Sequence, residues 1–151
     1  MNAEKCKLLV TKHDSNVSAT IDGHTIYACK SVKLLGVQID NNLDFSEHVS
    51  NICKNVSKKL HALQRVSHYM NRNKLRIIMK AFIESQFWYC PLVWMFHSGT
   101  LNNRINRLHE NALRLVYNDS ILSFENLLIL DRSFTSQKLA KTCYRNIQGE
   151  K

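Results

Sequence analysis

The chain has 151 residues and carries 21 Lys and Arg against 12 Asp and Glu, for a net charge of +9. Its length fits one domain or a piece of a larger one. Its 44% hydrophobic content and mean hydropathy of −0.28 are ordinary for a soluble fold that buries a core. The positive excess favours polyanionic partners, nucleic acid first and an anionic membrane surface second. The longest apolar run, Cys90 to Phe96, is far too short to span a bilayer, and no N-terminal signal pattern is present. The five cysteines, Cys6, Cys29, Cys53, Cys90 and Cys143, form no CxxC pair, so neither a zinc knuckle nor a redox motif is suggested. These features predict an intracellular protein, cytoplasmic or nuclear, that is not secreted, has no membrane partner and keeps its thiols buried and inert.

In chain order, "CKLLVTK" (Cys6 to Lys12) reads as a strand. "ATIDGHTIYA" holds Asp22-Gly23 between two β-branched runs, the strongest short hairpin signal. Val32 to Ile39 reads as one further strand, and Gly36 in its middle suggests a bulge or a close backbone approach. "DNNLD" is turn chemistry, and Ser46 suits an N-cap. From there the period changes. Val49, Ile52, Cys53, Val56, Leu60, Leu63 and Val66 predict a long amphipathic helix to about Met70. Leu75, Ile78, Met79, Phe82 and Ile83 predict a second, running into the aromatic stretch "QFWYCPLVWMF", which Pro91 interrupts and Ser98-Gly99 ends. Leu101, Ile105, Leu108, Ala112 and Leu115 mark a third helix, Ser123 caps a short fourth, and 136–146 is helical by propensity. The expected fold is α+β and mostly α: a small antiparallel sheet over about residues 6–40, then a bundle of four to five helices.

Candidate chemistry is sparse. Asp40, Asp44 and Glu47 are the nearest group of carboxylates, but a turn and a helix's first turn are where negative charge is expected without any metal. His61 and His68, seven apart, can face one side of a helix, yet no third ligand has suitable spacing. No Gly-rich phosphate loop occurs, and nothing singles out a Cys–His nucleophile. The aromatics from Phe87 to Phe96 can stack bases or plug a core, and the core reading is the better supported. The basic residues are better organised. Lys54, Lys58 and Arg65 share a helical face opposite the apolar stripe, while Arg104, Arg107 and Arg114 flank the apolar face of the third long helix. Two such edges suit a phosphate backbone, and they also suit ordinary solvated faces.

The segments "MNAEKCKLLV", "SVKLLGVQIDNNLDFSEHV", "KLRIIMKAFIESQFWYCPLVWMFHS" and "LNNRINRLHENALRLVYND" occur in an order that resembles the tail of the reverse transcriptase domain of non-LTR (LINE-like, jockey-type) retrotransposons. The resemblance covers Asn2 to about Tyr144. It implies that residues 1–45 correspond to the end of the palm and the primer grip, and 46–151 to the thumb and connection. Lys5 matches a lysine near the incoming nucleotide's phosphates. Lys33, Leu34, Leu35 and Gly36 of "VKLLGVQID" match the strand that lies against the primer's 3′ end. The family's polymerase centre holds two magnesium ions on an early aspartate and an Asp-Asp pair; both belong upstream of Met1, and no Asp-Asp occurs here. The segment "SFTSQKLAKTCYR" is also shorter than its counterpart in the family. The implied protein is a polymerase fragment that is not an enzyme on its own, binds no cofactor, lacks its upstream palm and fingers, and keeps weak affinity for RNA or DNA primer–template. The alternatives are a domesticated helical protein-interaction module and an element relic without function.

Overall fold

The structure, a computed structural model, describes residues 6–11, 17–90, 93, 99–133 and 135. It is α+β, with small sheets followed by helices. The chain divides into Met1–His48 and Val49–Lys151, and each unit is taken by itself.

The first unit holds β1 (Leu8–Leu9), β2 (Ser18–Ile21), β3 (His24–Cys29), β4 (Ser31–Leu34) and β5 (Val37–Asp40). β2 and β3 form the hairpin that Asp22-Gly23 predicts, with both turn residues at positive φ (50° and 78°), as a two-residue type I′ loop requires. β1 pairs with β3 in parallel, Leu8 opposite Ala28, so the sheet is mixed rather than wholly antiparallel. The larger correction concerns Val32 to Ile39. This run is two strands, because the chain reverses at Leu35 (φ 47°) and Gly36 (φ 88°) and β4 pairs antiparallel with β5. Gly36 therefore supplies a hairpin turn, not a bulge. The uninterrupted apolar run concealed the reversal, because leucine is a poor signal for a left-handed turn position.

Beyond β5 the acidic residues hold the turn. Asp40 Oδ1 accepts from the amides of Asn42 and Asp44, both at 3.1 Å, and Asp44 Oδ1 accepts from the amide of Ser46 at 2.8 Å. Ser46 is thus the first helical residue rather than the cap. His48, buried, accepts the Gln38 amide on Nδ1 at 3.3 Å and ties β5 to the helix start.

The second unit is helical: α1 (Ser46–Val66), α2 (Arg72–Met79), a π turn (Lys80–Glu84), α3 (Ser85–Trp88), α4 (Gly99–Tyr117) and α5 (Phe124–Asp131). α2, the π turn and α3 run on without a break, giving four helical rods among the described residues. Asn71 caps α2 through the Lys74 amide at 3.0 Å, and Ser123 caps α5 through the Asn126 amide at 3.3 Å. Gly99 begins α4 instead of ending the element before it. The expected helix at 136–146 lies outside the described residues.

The core joins Val49, Cys53, Val56 and Leu63 of α1 to Leu75, Met79, Ile83 and Phe87 of the second rod, and to Ile105, Leu113, Val116 and Leu127. A fully buried side chain such as Met79 or Ile83 contributes about 1.5–3 kcal/mol. Two residues of the expected stripes are not in it: Val66 is 40% exposed and Phe82 is 56% exposed. The π turn accounts for Phe82. One extra residue per turn shifts the helical register, so Phe82 swings outward while Glu84 turns inward.

Glu84 then needs partners. His109 Nε2 lies 3.1 Å from its Oε1, between the rings of Phe87 and Phe124, and Lys80 Nζ lies 3.7 Å from its Oε2. Lys80 also reaches Asp131 Oδ2 at 2.8 Å. Asp131, wholly buried, further accepts from Arg76 Nε (2.6 Å), the Tyr117 hydroxyl (2.9 Å) and the Ser133 hydroxyl (2.7 Å). This chain of ion pairs fastens α5 to the second rod and to α4.

Candidate nucleic-acid interface

The site is built on α1, whose 21 residues run about 31 Å. Its apolar stripe packs into the core, which turns Lys54, Lys58 and Arg65 outward, all exposed. His61 falls on the same face, exposed, and His68 follows α1 in a short 3-10 turn, Ser67–Tyr69. The four α1 positions, Lys54, Lys58, His61 and Arg65, recur at i, i+4, i+7 and i+11, one line down the helix. From Lys54 to Arg65 this ridge covers about 16 Å of axis, close to five base pairs at 3.4 Å each. No carboxylate occurs in the sequence between Glu47 and Glu84.

Ion pairing sorts the cations. Lys54, Lys58, Arg65, Arg104 and Arg107 make no ion pair among the described residues, whereas Arg76 and Lys80 are held by Asp131. Arg114 is also committed: Glu110 Oε1 accepts from its Nη2 at 2.6 Å and its Nε at 3.1 Å, and the Asp119 carbonyl accepts from its Nη1 at 3.3 Å. Its charge is largely spent on Glu110, so the α4 edge is weaker than the sequence stripe suggests. Arg104 and Arg107 remain exposed, and Arg104 lies close enough to the buried Cys53 to favour its thiolate, although burial dominates and pushes that thiol up.

The structure brings some of these residues together. His61, Gln64, Arg65 and His68 line one depression at the C-terminal end of α1. His61 and Gln64 also line the next, against Asn111, Arg114 and Leu115 of α4. A third continues from Gln64 and His68 to Arg72 and Asn118. Carboxamides, imidazoles and guanidinium groups line these depressions together with Leu60, Met70, Leu75, Leu115 and Val116, and among the described residues no carboxylate does. Sequence reasoning did not single out Gln64 and Asn111, and it read His61 as part of a polar face shared with the lysines. The signal for His61 was its place in the Lys54–Lys58–Arg65 spacing.

Lys33, Leu34, Leu35 and Gly36 lie at the exposed tip of the β4–β5 hairpin, with Leu34 58% and Leu35 84% exposed. They belong to the first unit and the ridge to the second. Lys5 lies outside the described residues. Of the cysteines, Cys53 is buried and Cys29 half-buried, its thiol donating to the Leu8 carbonyl at 3.1 Å, but Cys90 is exposed, against the expectation of buried thiols.

Most of the described carboxylates already have protein partners. Asp40 and Asp44 hold turn amides, Glu84 and Asp131 hold cations and His109, Glu110 holds Arg114, and Asp119 accepts the amides of Ile121 and Leu122. Among the described residues no three of His, Cys, Asp and Glu come together as a metal site. Among them, too, no helix is long and apolar enough to cross a membrane. No protein-family model, curated protein or solved structure matches the chain.

Proposed function

We propose that this chain is the thumb-side part of an RNA-directed DNA polymerase of the non-LTR retrotransposon type, inactive as a polymerase by itself, and that it holds primer–template nucleic acid along α1. The observation that carries the proposal is the ridge of Lys54, Lys58, His61 and Arg65 on α1, in a stretch without carboxylates. Cations without acidic partners keep their charge for phosphates, and they position a strand without reading its bases. The order of motifs along the chain supports the polymerase origin.

The test compares two triple variants of equal charge. Lys54→Gln/Lys58→Gln/Arg65→Gln removes three ridge cations, while Lys7→Gln/Lys30→Gln/Arg132→Gln removes three exposed cations elsewhere. In anisotropy titrations with a labelled duplex, the ridge variant should weaken binding at least tenfold and the control less than threefold, on the order of one net phosphate contact. Equal weakening would assign the attraction to diffuse net charge. Primer extension with magnesium on an RNA template should give no incorporation above background, because the sequence has no Asp-Asp pair to hold the metals.

A second reading, a helical interaction module, draws on one observation. Ile121, Ile129 and Leu130 are 93%, 75% and 54% exposed at and around α5, more apolar surface than a short helix usually leaves open. Apolar docking there would show a shallow salt dependence.

A further inference from the structure

We propose that α1 and Phe82 together form a seat for nucleic acid with unpaired bases, in which the ridge holds the phosphates and the Phe82 ring stacks a base. The proposal rests on the ridge reading above and adds the class of strand bound. Apolar spacing directs Phe82 into the core, yet the π turn of Lys80–Glu84 delivers it to the surface at 56% exposure. π turns of this kind recur at functional sites, and a local departure from the buried pattern is where function is to be sought. Phe82 also has a cation. Lys59 Nζ stands 5.9 Å from the ring centroid, at the outer limit of a cation–π contact, close enough to place charge beside the ring and loose enough to turn to a phosphate. Lys59 follows Lys58, so the ring flanks the ridge about 100° round the same helix. Further along the rod, about 9 Å past Phe82, Trp88 is 54% exposed and begins a second aromatic surface with Tyr89. A basic track with an aromatic ring beside it is the arrangement by which single strands are held: phosphates on cations, base faces on rings, little dependence on sequence. A blunt duplex presents phosphates to the ridge all along its length but a free base face only at its two ends.

The experiment titrates a short oligothymidylate and a blunt duplex of equal length into the whole chain. Phe82→Ala should weaken the single strand between about fivefold and a hundredfold and leave the duplex within about twofold. Phe82→Leu keeps apolar bulk without a π face and should lose as much, while Phe82→Trp should restore or strengthen binding. The proposal is overturned if Phe82→Leu binds like the native chain, or if both ligands weaken equally. A dimer that Phe82→Ala disperses would also overturn it, since the ring would then face a second copy. If Lys54→Gln/Lys58→Gln/Arg65→Gln weakens binding and the Phe82 variants do not, the stacking seat alone fails. If the triple variant changes nothing, the ridge reading itself fails.

Discussion

Asp131 is a fully buried carboxylate that gathers partners from the second rod, from α4 and from the residues after α5. Burial pushes its carboxyl upward, but hydrogen bonds from Lys80, Ser133, Arg76 and Tyr117 outweigh burial and hold it below the ordinary carboxylate range. The same contact raises the Arg76 guanidinium, and burial together with Asp131 raises the Tyr117 hydroxyl. Because the folded value lies below the unfolded one of about 3.9, the stabilisation is complete above about pH 4 and is lost as pH falls through the folded value. Asp131→Asn should therefore cost about 1–3 kcal/mol at neutral pH, since it weakens four hydrogen bonds while Arg76 and Lys80, each about a third exposed, keep access to water, and should flatten the acid limb of stability. Urea unfolding between pH 2 and 7 reads both effects, and a cost below about 1 kcal/mol would mean the network is slack. His48 titrates in a different window. Burial lowers its folded value below the usual 6.5, and its Nδ1 accepts the Gln38 amide only when unprotonated. That contribution is present above about pH 6.5 and is lost as pH falls through the folded value. The Gln38 amide resonance should move with the His48 ring over that range, and a static resonance would contradict the hydrogen bond.

Of the two β-hairpins, β4–β5 is the one with a leucine in its turn. Type I′ loops favour Asn-Gly, whereas here leucine occupies the first left-handed position at φ 47° and leaves its side chain 84% exposed. Leu35→Asn should stabilise the chain by about 0.5–1 kcal/mol, and Gly36→Ala, at φ 88°, should destabilise it by about 1 kcal/mol. Thermal melts of the two variants should move in opposite directions. The hairpin was hidden in the sequence for the reason that makes it strained: residues 34 and 35 are both leucine, so nothing marks a reversal until Gly36. By contrast, Asp22-Gly23 announced the β2–β3 turn, and the spacing of Val49, Cys53, Val56 and Leu63 announced the buried face of α1, because local chemistry decides both. The outward turn of Phe82 was not legible, since a π turn depends on what its neighbours pack against. Lys54, Lys58 and Arg65 could be grouped from the helical period alone. Glu110, four residues before Arg114, was also within reach of that period, but a stripe drawn from cations leaves acids out. Arg76 and Asp131 are 55 residues apart, and only the fold brings them together.

For the whole molecule, the +9 net charge is divided into cations already engaged by acids and cations left to the surface. Arg76, Lys80 and Arg114 belong to the first class, and the α1 ridge belongs to the second. Affinity for nucleic acid should therefore follow the position of charge rather than its sum. Counterion release gives that claim its most direct measurement, the slope of log K against log salt concentration for the native chain and for Lys54→Gln/Lys58→Gln/Arg65→Gln on one duplex. With three phosphates no longer neutralised, at about 0.9 each, the slope should be shallower by about 2.7, with Lys7→Gln/Lys30→Gln/Arg132→Gln left close to the native value. A slope that is unchanged in the ridge variant, or reduced equally in both variants, would contradict the account.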